Sequence, residues 1–319
     1  MILDILLAGL GMVILLFAGD FLVRGAVNLS LRLGIPALLV SLTVVAFGTS
    51  APELLIAVKA VLDGVPGLAL GNVVGSNTAN VFLILGVPAL IFGLDAAGDT
   101  RRNYLLMMAA TAIFVILAFF GPFRWWHGAT LLAVLVLILW DAGRAARAHR
   151  RADQSRAAVP EEEELEEADP SMSGWKIGLY LALGLVGLPL GAEILVNHSV
   201  SIARDLGISE TVIGLTLVAI GTSLPELATT IMAASRRHSE VAIGNVIGSN
   251  MFNLLGIFGI AALVGPIPVD PAMLRFDLWV MLAASCAIAP YALMRRGMSR
   301  AVGSVYLFAY VVYLSLLLT

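Results

Sequence analysis

The stretch Gly48-Thr49-Ser50-Ala51-Pro52-Glu53-Leu54 returns as Gly221-Thr222-Ser223-Leu224-Pro225-Glu226-Leu227, and Gly71-Asn72-Val73-Val74-Gly75-Ser76-Asn77 returns as Gly244-Asn245-Val246-Ile247-Gly248-Ser249-Asn250. Both repeats keep one offset of 173 residues. The match is gapless from Ala18 to Gly86: Asp20-Phe21-Leu22-Val23 pairs with Glu193-Ile194-Leu195-Val196, and Leu33-Gly34-Ile35 with Leu206-Gly207-Ile208. The chain is therefore an internal duplication. Each copy sets one carboxylate, Glu53 or Glu226, in an otherwise apolar run, where ionised groups are costly and mark ion pathways. Two such runs in corresponding halves point to the central site of a transporter.

Composition supports a membrane chain: 60% hydrophobic residues, 13% charged residues and a mean hydropathy of +0.96 exclude an ordinary soluble domain. A net charge of -3 gives no reason to expect a nucleic-acid partner. Apolar runs between charged or Pro/Gly breaks predict ten spans, near 2–21, 37–60, 67–92, 103–121, 125–141, 175–196, 209–234, 241–265, 276–294 and 301–318. The N-terminus lacks the basic region of a signal peptide, so the first run is expected to remain as a helix. Alternating the loops puts fifteen of the nineteen Lys and Arg residues on one side, among them Arg24, Arg32, Arg144, Arg236 and Arg300. The positive-inside rule then places both termini outside and the central linker in the cytoplasm of a cell, plasma or inner, membrane. Trp125, Trp126, Trp140, Trp175 and Trp279 fall near expected span ends, as interfacial anchors do.

Five spans per half is an odd number, so the halves must cross the membrane in opposite senses. The expected fold is an all-α membrane protein of ten transmembrane helices, two inverted five-helix repeats with broken helices at the ion site. The first repeat takes residues 1–141 with its motif at 43–86, and the second takes 175–319 with its motif at 216–259. Between them lies a charged linker, 142–174, basic from Arg144 to Arg156 and acidic from Glu161 to Asp169. Its lack of apolar periodicity predicts a flexible, solvated tether whose basic part sits against anionic lipid. Acidic runs of this kind are far more often tethers than calcium sensors.

Pro52 has no N–H, so the carbonyl of Gly48 loses its helical partner and the helix must break. The exposed carbonyls of Gly48, Phe47 and Ala46 then become oxygen ligands of the kind broken helices offer. Pro225 and Gly221 repeat the arrangement. Thr49 and Glu53 are four residues apart, as are Thr222 and Glu226, so each hydroxyl is expected on the face of its own carboxylate. Asn72, Ser76 and Asn80 form a polar stripe at i, i+4 and i+8, copied by Asn245, Ser249 and Asn253. Carboxylate, hydroxyl, amide and carbonyl oxygens suit a hard cation such as Ca2+. His127, His149, His198, His238 and Cys286 lie outside both motifs, which argues against late transition metals.

Plainer readings compete for some positions. Gly71, Gly75, Gly244 and Gly248 form small-residue spacings for which helix packing is the expected role. Ser50 and Ser223 are as well explained by hydroxyls bonded to their own backbone. Asp20 and Glu193 sit at the expected span ends, where an interfacial position explains them.

These motifs resemble those of the sodium/calcium exchangers of the calcium/cation antiporter superfamily, of the prokaryotic type with two inverted alpha-repeats. The resemblance rests on Gly48 to Glu53 with Gly71 to Asn80, and on Gly221 to Glu226 with Gly244 to Asn253. It implies Ca2+ coordination by Glu53 and Glu226 with Thr49 and Thr222. It also implies Na+ sites using the carbonyls of Ala46 and Ala219, the hydroxyls of Ser50, Ser76, Ser223 and Ser249, and Asn80 or Asn253 at the centre. The chain departs from some relatives in carrying an amide, Asn253, where they carry an Asp, and its 33-residue linker is too short for the calcium-sensing domains of animal members. The resulting expectation is a non-enzymatic antiporter exchanging Na+ for Ca2+, embedded in the lipid bilayer and requiring no cofactor. The alternatives are a Ca2+/H+ antiporter using the two glutamates as proton carriers and, more remotely, a cation channel. An intramembrane enzyme would need a nucleophile and base that neither motif supplies.

Overall fold

Helices leave no backbone polar group for lipid to satisfy, and the described residues are helical nearly throughout. A computed structural model describes residues 1–35, 37–96, 100–155, 171–207 and 221–317. In chain order the helices are α1 (Ile2–Leu33), α2 (Ala37–Val40), α3 (Ala46–Thr49), α4 (Ala51–Leu62), α5 (Pro66–Ala79), α6 (Gly86–Phe92), α7 (Arg101–Phe119), α8 (Trp125–Ser155) and α9 (Gly174–Asp205). The second half adds α10 (Leu224–Ser235), α11 (Ser239–Met251), α12 (Phe258–Val264), α13 (Pro271–Arg275), α14 (Asp277–Ala287), α15 (Ala289–Met294) and α16 (Arg300–Leu317). Wider π-helical turns at Ser41–Val45, Asn80–Ile84 and Phe252–Ile257 link α2 to α3, lead α5 towards α6, and join α11 to α12.

Eight helices among the described residues are long and apolar enough to span a membrane, and a ninth span forms if Ser41–Thr49 and Pro52–Leu62 are joined across their 49° bend. The span expected at 209–234 lies partly outside the described residues. The protein is thus an all-helical membrane protein with eight or nine candidate spans in its described part.

Three boundaries differ from the sequence reading, one being that of α9, which runs past the expected end at residue 196 to Asp205. Helix α1 continues past the expected end at residue 21 to Leu33, because Arg24 Nε pairs with Asp20 Oδ2 one turn earlier, at 2.9 Å, and no longer acts as a bare charge. It stops at Gly34, whose φ of 63° lets the N–H of Ile35 close back on the Ser30 carbonyl. Gly207, in the repeated Leu-Gly-Ile, takes the same left-handed conformation after α9. The linker differs too: α8 runs on to Ser155, so its basic half is helical, as the Ala- and Arg-rich run from Ala142 to Ala152 favours.

The helices are unequally enclosed. The apolar window of Ser239–Val264 is 89% buried and that of Pro66–Phe92 is 67% buried, whereas α1 and α9 reach only 22%. Helices α5 and α11 therefore form the centre, and α1 and α9 lie at the periphery.

That outer pair runs antiparallel on a glycine seam. A Cβ on Gly11 would lie 2.6 Å from the Leu195 nitrogen, one on Gly191 2.9 Å from the Leu15 nitrogen, and one on Gly184 2.5 Å from the Leu22 Cβ. Backbones approach this closely only where side chains are absent. At one end of the pair Met1 and His198 both contact Asp4, and Met1 also contacts Asp205. Two short bridges, Leu94 with Met298 and Phe123 with Ile267, tie loops of the first half to the second.

Candidate cation site

Proline starts the half-helices that carry the carboxylates. Pro52 and Pro225 each occupy the first turn of a new helix, α4 or α10, where the missing N–H has no partner to lose. Glu53 and Glu226 follow in that same turn, at the end of the helix dipole that favours negative charge. Leu54 N–H closes on the Ser50 carbonyl at 3.2 Å, and Leu227 N–H on the Ser223 carbonyl at 3.0 Å, so the two breaks share one local geometry.

Both carboxylates are buried, with 2% of Glu53 and 1% of Glu226 exposed. Their charges act on one another, and among the described residues no basic side chain pairs with either. Buried carboxylates without a basic partner require compensation from elsewhere.

The hydroxyls of the first repeat serve the carboxylate of the second. Ser50 Oγ donates to Glu226 Oε1 at 3.1 Å, and Thr49, which donates to the Ala46 carbonyl at 3.3 Å, lies beside the same carboxylate. Thr49 was expected beside Glu53; the bend at Ser50 turns it across the interface instead. The Ala46 carbonyl also accepts the Ser50 N–H at 3.1 Å, so it is engaged in the helix rather than bared by the break. Ser223 is buried and Thr222 is half-buried. Ala219 lies outside the described residues.

The central helices supply amides and further hydroxyls. Asn80 Nδ2 donates to Asn250 Oδ1 at 3.0 Å, a contact between the repeats. Asn245 Nδ2 donates at 3.2 Å to Thr230 Oγ1, which donates to the Glu226 carbonyl at 2.7 Å, so Asn245 clamps α11 to α10. Its counterpart Asn72 is half-buried, and the position equivalent to Thr230 is Ala57, which has no hydroxyl to offer it. Ser76, Ser249 and Asn253 are buried. Asn80 and Asn253 both lie in π-helical turns, a departure from regular winding that often accompanies functional positions.

Several buried oxygens have no hydrogen-bond partner among the described residues: Glu53 Oε2, Glu226 Oε2, Asn80 Oδ1, Asn253 Oδ1 and Ser249 Oγ. Orphaned buried acceptors are costly. They are also hard oxygen ligands, and among the described residues no cluster of three His, Cys, Asp or Glu side chains competes with them for a metal.

Sequence reasoning missed two elements of this arrangement. Asn250, and its counterpart Asn77 with its unpartnered Oδ1, belong to the polar centre, signalled only by their place in the repeated Gly-Ser-Asn. Asp20 and Glu193 are not at helix ends. Asp20 is buried between Arg24 and Arg236, whereas Glu193 lines a cavity of ≈ 380 Å³ that reaches Pro52, Thr222 and Pro225. The packing role expected for the glycines holds at Gly248, where a Cβ would meet the Leu42 carbonyl oxygen at 2.5 Å. At Gly71 and Gly75 a Cβ would meet nothing within 4 Å among the described residues, so no close packing is seen at those two glycines.

Two paired half-helices presenting buried, unneutralised oxygens at the centre of a membrane bundle define a cation-handling membrane protein. Residues 3–141 and 176–319 match the family described as sodium/calcium exchanger protein, and the chain belongs to that family. The inner membrane protein YrbG of Escherichia coli is 35% identical, the alignment covering 88% of this chain and 85% of that one. The sodium/calcium exchanger MaX1 of Methanosarcina acetivorans is 31% identical over 97% and 96% of the two chains. The fold superposes on the sodium-calcium exchanger NCX_Mj soaked with zero Na+ and Ca2+ with a TM-score of 0.82, at 27% identity and 99% coverage of both chains.

Proposed function

We propose that this chain is a secondary active antiporter exchanging Na+ for Ca2+ by alternating access. The observation that carries the reading is the pair of buried carboxylates on equivalent half-helices, with no basic side chain to neutralise them among the described residues. Glu53 and Glu226 bind Ca2+ with Thr49 and Thr222. Ser50, Ser76, Ser223, Ser249, Asn80 and Asn253, with the carbonyl of Ala219, form the Na+ sites; the Ala46 carbonyl joins them only when it is released from the Ser50 N–H and the Thr49 hydroxyl that hold it in this conformation. Asn72 and Asn245 complete the polar ring, Asn245 chiefly by holding α10 in place.

Charge counting sets the energetics. Two carboxylates are neutralised by one Ca2+, whereas three Na+ leave the site with one positive charge. Moving that charge is worth about 2.3 kcal/mol per 100 mV, so a negative-inside potential drives Na+ in and Ca2+ out. The proposed frame is ten helices in two inverted repeats, with both termini outside and the linker in the cytoplasm. The antiparallel contact of the equivalent helices α1 and α9 supports the inversion. The test is calcium flux in proteoliposomes with sodium, potassium and proton gradients imposed one at a time. Uptake driven by the proton gradient alone refutes the sodium reading.

A further inference from the structure

The two outer helices carry equivalent acids with opposite fates. Asp20 on α1 is 8% exposed, paired with Arg24 one turn away and with Arg236 just past the end of α10. At the offset of 173 the counterparts are Glu193, Asn197 and Asp63, so the second copy of the triad has lost both arginines. Glu193 is exposed to the ≈ 380 Å³ cavity, as is Asn197, and it makes no ion pair among the described residues. The undescribed segment nearest to it in sequence, 208–220, contains no Lys, Arg or His.

Packing shows the same asymmetry. Gly19 brings α1 against α10, where a Cβ would stand 3.1 Å from the Ala228 carbonyl oxygen. The equivalent of Gly19 is Ala192, which lines the cavity between α9 and the start of α4. One end of the bundle is closed by apposed backbones and an ion pair; the other opens onto an acid that makes no ion pair among the described residues.

The depth of that acid gives it meaning. The seam pairs Gly191 with Gly11 and Leu15, and Gly184 with Leu22, so the helices cross near Leu16 and Phe17 opposite Pro189 and Leu190. Glu193 lies three to four residues beyond, about 5 Å along the helix axis. The crossing of two equivalent helices marks the middle of a hydrocarbon layer roughly 30 Å thick, so Glu193 is well inside it. A carboxylate at that depth facing a cavity marks a cation route.

We propose that Glu193, with Asn197 beside it, is a capture site for hard cations on the outer access route, drawing Ca2+ and Na+ towards Thr222 and the paired glutamates. The inference rests on the antiport reading. The structural asymmetry assigns this role to the α9 end alone: on α1 the arginines already satisfy the equivalent acid, and that end is shut.

The test uses the full chain, reconstituted in one orientation in Na+-loaded proteoliposomes, with radioactive Ca2+ uptake measured against outside Ca2+ at low ionic strength. Glu193→Gln raises the outside KM by about three- to tenfold and leaves Vmax within about twofold, since a cavity lined by one sign of charge raises local cation concentration. The difference shrinks when outside choline chloride is raised to about 150 mM, because an exposed charge is screened. Asn197→Arg recreates the Asp20–Arg24 spacing and raises KM to the same degree without altering Glu193, while Glu193→Asp keeps the wild-type value. From the cytoplasmic face all variants match wild type. An unchanged outside KM in both Glu193→Gln and Asn197→Arg overturns the inference while wild-type exchange remains sodium-driven. Calcium uptake by wild type that ignores the sodium gradient overturns the antiport reading instead, and the KM comparison still reports on Glu193.

Discussion

Replacing Glu226 by Gln isolates one charge. The side chain keeps its volume in a site where only 1% of the residue is exposed, and the amide oxygen still accepts the Ser50 hydroxyl now 3.1 Å from Oε1. In the ion-bound state the main loss is the electrostatic attraction to the cation. At a separation of about 4 Å and an effective dielectric constant of about 20, one carboxylate attracts Ca2+ by roughly 8 kcal/mol and Na+ by roughly 4 kcal/mol. Cation desolvation and retained water reduce both figures, yet their difference favours calcium by up to about three decades in affinity. Glu226→Gln is therefore expected to lower Ca2+ affinity by at least about a hundredfold and Na+ affinity by roughly the square root of that factor. Removing one of two mutually repelling buried charges should also leave the ion-free protein as stable as wild type or more so. Equilibrium binding by calorimetry in detergent gives the affinities, and a thermal melt in chelator gives the stability. A variant that folds normally and binds Ca2+ within tenfold of wild type would refute the reasoning.

Other perturbations probe the rest of the site. Ser50→Ala removes the hydrogen bond to Glu226 and is expected to weaken Ca2+ binding about tenfold, in line with about 1.5 kcal/mol for a bond to a charged group; the same calorimetry checks it. Asn250→Leu leaves the Asn80 amide unpaired in the buried centre and should cost about 1–3 kcal/mol, read as a lower midpoint in thermal melts without ions. Asn253→Asp adds a third acid to the buried oxygen set, so protons should compete with cations as pH falls. Its exchange rate should drop between about pH 8 and pH 6.5 while wild type changes little, and identical pH profiles in flux assays would separate residue 253 from the glutamates' field.

What the sequence disclosed was mostly what repetition discloses. Glu53 and Glu226 stand out because a carboxylate in an apolar run is anomalous, and the Pro before each announces a helix boundary. Cross-repeat partners were illegible: Ser50 meets a carboxylate 176 residues away, and nothing within its own motif distinguishes that from a hydroxyl turned back on the helix. Periodicity counted at four residues per turn also passes over the wide turns that hold Asn80 and Asn253. Asp20 and Glu193 were misplaced because charges were used to end the spans. Arg24 is neutralised by Asp20 within the same helix, so α1 runs on and carries the acid inwards. The helical continuation of α8 to Ser155 was written in its alanines and arginines, but the charge of that segment drew attention away from its propensity.

The glycine seam between α1 and α9 bears on how the protein is made. Its partners are separated by most of the first half and the linker, as with Gly11 and Leu195. At about 5–20 residues per second of synthesis, α1 waits roughly ten to thirty seconds before α9 has left the ribosome. Throughout that interval its glycine face lies against lipid, which gives a side-chain-free groove little to pack on. Insertion of the first half thus yields an intermediate with an open backbone stripe, and the arrival of Gly184 and Gly191 closes it. The seam is completed only once both duplicated halves are in the membrane.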